Sequence, residues 1–142
     1  MNGLNKEIEQ QLRNENADFV HFVDISMLDI QQNRGLPYAI LIGIAINPQF
    51  IKMVYDSPNY VHILNDEYAQ TENQVGLIAD KLADRLIKNG YKALSQSDRG
   101  LIADNSFDFT TKTSVLPHKT IAIFSGTGYI GKNNLFITTE YG

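Results

Sequence analysis

The chain has 142 residues, is 43% hydrophobic, carries a formal net charge of −4 and contains no cysteine. That size and composition describe one domain with enough apolar mass for its own core. The acidic balance argues against indiscriminate nucleic-acid binding, which draws on Lys and Arg neutralising phosphates. Without cysteine there is no disulfide, no thiolate nucleophile and no ordinary ligand set for an iron–sulfur cluster or structural zinc, so redox chemistry requires a bound cofactor.

Leu4, Ile8 and Leu12 recur every four residues among charged and amide residues, which predicts an amphipathic helix over 4–15. Ala17 to Val23 reads as a short strand, and Ser26 to Asn33 as a polar connection or short helix leading to Gly35-Leu36-Pro37. Tyr38 to Ile46 is the most hydrophobic stretch, is β-branched and lies between Pro37 and Pro48; it predicts a buried central strand. Asn47-Pro48 has the form of an N-cap followed by proline in a first turn, opening a helix to about Tyr55. After Ser57-Pro58 a long helical region is expected from about Tyr60 to Lys88, stopped by Asn89-Gly90.

Tyr91 to Ser95 reads as a strand, and Gln96 to Ser114 as an ordered loop of the kind that serves a site. Pro117 suits the first turn of a helix through Phe124, after which a glycine-dense turn leads into a last strand, Leu135 to Thr139. These elements predict a single α/β (α+β) domain, a mixed β-sheet flanked by helices. No apolar run approaches the roughly twenty residues of a membrane span, and Met1-Asn-Gly-Leu-Asn-Lys-Glu is too polar for a secretory signal. A cytoplasmic location is the expectation.

The glycine turn, Gly126-Thr127-Gly128-Tyr129-Ile130-Gly131-Lys132-Asn133, is the candidate binding element. Its glycines remove the side-chain barrier to positive φ and to close approach, while Tyr129 adds an aromatic face and Lys132 a cation. The residues fit the dinucleotide fingerprint, but a strand-forming stretch follows them where a helix is required, and the acidic residue expected about twenty positions on has no place before Gly142. They also fit the spacing of a phosphate-binding P-loop, with Asn133 where magnesium coordination wants a hydroxyl. A tight turn with no ligand is the plain alternative. Lys112, Lys119 and Lys132 are expected to form a local basic rim. His21, His62 and His118 have no metal-type spacing.

The stretch from Leu116 to Gly142, with Leu116-Pro-His-Lys, the Gly126–Lys132 block and Tyr141-Gly142, resembles the epoxyqueuosine reductase family. That family carries an alanine-glycine-x-glycine-tryptophan-isoleucine-glycine-lysine turn; Ser125 and Tyr129 replace the alanine and tryptophan. The likeness extends more weakly to the Pro37 strand and to Asn89-Gly90-Tyr91-Lys92-Ala93. It implies a cobalamin cofactor with Gly126, Thr127, Gly128, Tyr129, Ile130, Gly131, Lys132 and Asn133 in its wall. It also implies that the chain is a portion ending before a ferredoxin-like iron–sulfur domain, with electrons supplied by that domain or another protein, and a tRNA substrate of queuosine synthesis for the full-length protein.

TRNA-modifying members place an aspartate proton donor about one helix upstream of the glycine turn, in an Asp-x-x-Pro-x-x-Glu stretch. Here Lys112 stands at that spacing and His118 takes the place of the glutamate. His118 is therefore the candidate catalytic acid, since imidazole titrates near neutrality. Asp104 and Asp108 are reserve donors. A non-catalytic ligand-binding or interaction domain that kept the fold, and a nucleotide site on the glycine loop, are the competing readings.

Overall fold

Leu4, Ile8 and Leu12 become the inner stripe of α1 (Gly3–Asn14), where Ile8 and Leu12 are buried. The computed structural model describes residues 3–142. Asn16 takes a left-handed φ of 70°, a conformation asparagine tolerates better than most residues. The chain then enters β1 (Phe19–Asp24), which pairs antiparallel with β2 (Tyr38–Gly43) from Phe19↔Gly43 to Asp24↔Tyr38.

Between these strands, α2 (Ile30–Asn33) is capped by the Asp29 carboxylate on the Gln31 N–H. The buried Asn33 side chain closes the connection, donating to the Ile25 and Leu28 carbonyls and accepting from Gly35 N–H. Arg34 and Gly35 both have positive φ, which turns the chain into Pro37 and β2.

Alternation along β1 sends Val20 and Val23 to opposite faces of the ladder. On one face Val20 joins Ile8, Leu12, Ala17, Ile78 and Leu82 in a buried cluster, with Phe22, Ile40 and Ile42 packed against it. On the other, Val23 joins Ile25, Leu116 and Ile121, flanked by Ala39 and Leu41. One ladder therefore serves two cores: α1 and α4 (Glu67–Lys88) cover the first face, and α6 (His118–Phe124) the second. This is a single domain of mixed helices and strands with helices on both faces of its main ladder, the α/β class expected from the sequence.

Among the described residues the strands form three separate two-stranded antiparallel ladders, in place of the one mixed sheet expected. Besides β1–β2 these are β3 (Phe107–Asp108) with β4 (Thr113–Ser114), and β5 (Gly128–Ile130) with β6 (Phe136–Thr138). Three local expectations are corrected. The strand over 38–46 is not central: β2 has a partner on one side only and its residues are half-buried or exposed. Residues 60–66 are not helical, because Asp66 caps α4 through Ala69 N–H. Tyr91 to Ser95 is not in a ladder.

Other boundaries match their signals. Asn47 caps α3 (Pro48–Tyr55), accepting from Gln49 N–H with Pro48 in the first turn. Asn89 ends α4, followed by Gly90 at φ 86°. The 96–114 segment contains α5 (Asp98–Ala103), capped by Ser97, and the β3–β4 hairpin. Among the described residues no helix is long and apolar enough to cross a membrane.

Candidate functional site

The glycine-dense turn folds as a β-hairpin standing on α6. Helix α6 ends at Ser125, whose hydroxyl donates to the Ala122 carbonyl, and Gly126 follows at φ 70°; that left-handed step favours glycine. Neither phosphate motif has its required context, because β5 and β6 follow the glycines and no helix opens there.

The glycines have reasons internal to the hairpin. A Cβ on Gly128 would strike the Ile137 carbonyl oxygen across the ladder. One on Gly131 would lie 2.6 Å from Ile137 Cδ1 and 2.8 Å from Asn133 Oδ1. Of the three glycines of the turn, Gly126 alone has open space beside its main chain. Bare backbone is thus largely covered by the hairpin's own atoms, and what the turn presents outward is side chain. Tyr129 is 60% exposed and Leu135 59%, and Ile123 and Phe124 of α6 are also exposed. Lys132 and Asn133 add a cation and an amide at the tip.

One lysine of the expected basic rim is tied into the hairpin itself. Lys119 Nζ donates to the Asn134 carbonyl and so braces the hairpin on α6. Lys112, at φ 58°, turns the β3–β4 hairpin. His118 begins α6, exposed, with Nε2 2.8 Å from the Gln96 carbonyl. A carbonyl accepts only, so Nε2 carries the proton and Nδ1 is the nitrogen left for exchange with a ligand. The reserve carboxylates are engaged. Asp104 receives Arg34 at 2.6 and 3.1 Å and Ser106 Oγ at 2.6 Å, and these partners hold its pKa below the ordinary value. Asp108 accepts Thr110 and Thr111 N–H in its turn, which lowers its pKa likewise.

A groove of about 1030 Å³ runs along the outer edge of β2, between α4 on one side and His118 and Ile121 of α6 on the other, with residues 92–99 along it. Ile40, Ile42, Val75 and Leu82 make its floor apolar. At its rim, buried Asp80 accepts Ser97 Oγ at 2.6 Å and Arg99 Nε at 2.9 Å. Burial works to raise the Asp80 pKa, but hydrogen bonds from Ser95, Ser97 and Arg99 outweigh it and hold the carboxylate below its usual range. Gly126–Asn133 do not line this groove, so the glycine hairpin and the groove are two features joined through α6.

A second polar cluster was not signalled by motif. The Asp66 side chain, 4% exposed, accepts Ala69 N–H, Tyr60 Oη at 2.9 Å and His62 Nδ1 at 2.6 Å. The Ala69 N–H does most to bring its pKa down, to about 2, with His62 and Tyr60 adding to it against the cost of burial. The aromatic rings of Phe50, Tyr60, His62 and Tyr68 pack around it. An Asp ahead of a helical run is legible as a cap; its two further partners depend on the 58–66 turn and are not.

Among the described residues no group of three or more His, Cys, Asp or Glu is placed to hold a metal ion. The chain matches no family model, no curated protein and no solved structure.

Proposed function

We propose that this chain is the cobalamin-binding domain of an epoxyqueuosine-reductase-like oxidoreductase, cytoplasmic, whose electrons come from iron–sulfur clusters on another domain or protein. The observation that carries the reading is the outward face of the β5–β6 hairpin. In a run resembling that family's glycine–lysine block, Tyr129 and Leu135 stand more than half exposed beside Lys132 and Asn133. A broad ring with an amide-bearing, phosphate-bearing periphery suits such a face: apolar contact from Tyr129 and Leu135, hydrogen bonding from Asn133, charge from Lys132. Gly126 contributes uncovered main chain.

When bound, cobalamin would supply the metal centre that hands electrons to a substrate. The protein's own contribution is a seat and a proton source. His118, with Nε2–H held on the Gln96 carbonyl, would give a proton from Nδ1 as the imidazolium, which carries a proton on both nitrogens. Tyr129 and Leu135 would give a bound ring apolar contact and exclude water there.

The experiment is a spectral titration of the chain with cob(II)alamin, read beside thermal melting. Binding should shift the cobalamin absorption bands and raise Tm by mass action. Tyr129→Ala with Leu135→Ala should weaken binding at least about tenfold, the loss of two partly buried apolar contacts, whereas His118→Ala should leave binding intact. No spectral change and no stabilisation would refute the reading. The engagement of His118 Nε2 by a backbone carbonyl favours a second reading, a binding domain without its own chemistry. Its test is whether the full-length protein, with clusters loaded, loses reductase activity on His118→Ala.

A further inference from the structure

The β1–β2 ladder uses only one edge of β2. Ile25 N–H donates to the Pro37 carbonyl, and the register carries that alternation forward. Ala39, Leu41 and Gly43 therefore bond toward β1, while the main-chain groups of Tyr38, Ile40 and Ile42 face outward. That outward edge lies along the groove, with α4 over one face of the ladder and α6 over the other. A groove flanked in this way has the position of a strand next to β2.

We propose that Tyr91–Ser95 docks in that position, parallel to β2, and closes the groove as a third strand. Four observations support it, independently of any cofactor. Lys92 to Ser95 line the same groove, and among the described residues no backbone hydrogen bond reaches their N–H groups. The segment is fastened at its ends: Tyr91 N–H donates to the Leu86 carbonyl after Gly90 at φ 86°, Gln96 is held by His118, and Ser97 by Asp80. It contains no glycine or proline, and Tyr91 and Leu94 are about half exposed where they stand, apolar surface that docking would cover.

Chain order supplies the fourth. A strand, a helix packed on it and a returning extended segment form the βαβ unit, which places the second strand parallel beside the first with a right-handed crossover. Here β2, α4 and Tyr91–Ser95 follow in that order, and α4 packs on β2. Adjacent Ala93 and Leu94 would then point to opposite faces, one toward α4 and one toward α6. Docking satisfies the outer edge of β2 and covers its apolar floor; undocking reopens the groove. The segment is a strap with two positions.

The absence of cysteine makes the test clean. Each of Ile40→Cys and Ile42→Cys is combined with each of Ala93→Cys and Leu94→Cys, and the four folded chains are oxidised mildly without denaturant. A disulfide needs Cα atoms within about 7 Å, so docking predicts that at least one combination cross-links within the chain to more than about half completion, while Tyr55→Cys with Ala93→Cys does not. Amide exchange on the unmodified chain needs no substitution: Ile40 and Ile42 N–H should exchange at least about tenfold more slowly than unprotected amides. Cross-linking in none of the four combinations, or unprotected exchange at Ile40 and Ile42, overturns the proposal.

Discussion

Leu12→Ala probes the packing that holds α1 and α4 to the main ladder. Leu12 is fully enclosed, and its cluster draws Ile8 from α1, Val20 from β1 and Ile78 and Leu82 from α4. The substitution removes three carbon groups, a transfer loss of roughly 2.4 kcal/mol at about 0.8 each. Neighbours on three separate elements cannot all move in to fill the space, so a cavity cost adds to this and the total should reach about 3–5 kcal/mol. For a chain of this length that is a fall in Tm on the order of 10–15 °C. Urea unfolding followed by far-UV circular dichroism measures it, as a shift in midpoint at unchanged slope. Leu64→Ala is the counterpart: Leu64 is 96% exposed, and its loss should stay within about 0.5 kcal/mol. A cost below about 1 kcal/mol for Leu12→Ala, or equal effects of the two, would refute this assignment of the core.

Asp66 has its folded-state pKa depressed to about 2 from an ordinary 3.8, so the stability it contributes is present above the ordinary value and drains away as pH falls from there through about 2. Melting followed from pH 5 to pH 2 should show this loss, and Asp66→Asn should flatten the profile in that window; an unchanged profile would remove Asp66 from the network. Gly128→Ala would press a methyl group against the Ile137 carbonyl, an overpacking cost of about 1–3 kcal/mol. Amides of β5 and β6 should then exchange faster while those of β1 and β2 hold, and equal acceleration in both ladders would contradict a separate hairpin.

Where one residue type meets one local need, the fold was legible from sequence. Asn47-Pro48 and Asn89-Gly90 mark helix ends because capping and positive φ are decided within a few residues. The stripe of α1 was legible for the same reason. Strand placement was not, because an apolar run does not reveal how many neighbours it has: Tyr38–Ile46 reads as central, yet β2 carries an open edge. The 96–114 segment hid α5 and a hairpin because its elements are short, six residues and two-residue strands, too brief to show an apolar period.

For the glycine turn, the sequence showed where bare backbone would lie but not what would cover it. Ile137, nine residues past Gly128, fills the space that the pattern leaves for a ligand. His118 was legible as an exposed titratable group, and its tie to Gln96 was not.

Tyr141 stacks on Phe19 with ring centres 5.7 Å apart and donates its hydroxyl to the Asp18 carbonyl. One aromatic residue thus clasps the last hairpin to the start of β1, across a separation of 123 positions. Such a clasp couples the fraying of two regions that are remote in the chain, so a tug on the last hairpin is transmitted directly to the first strand.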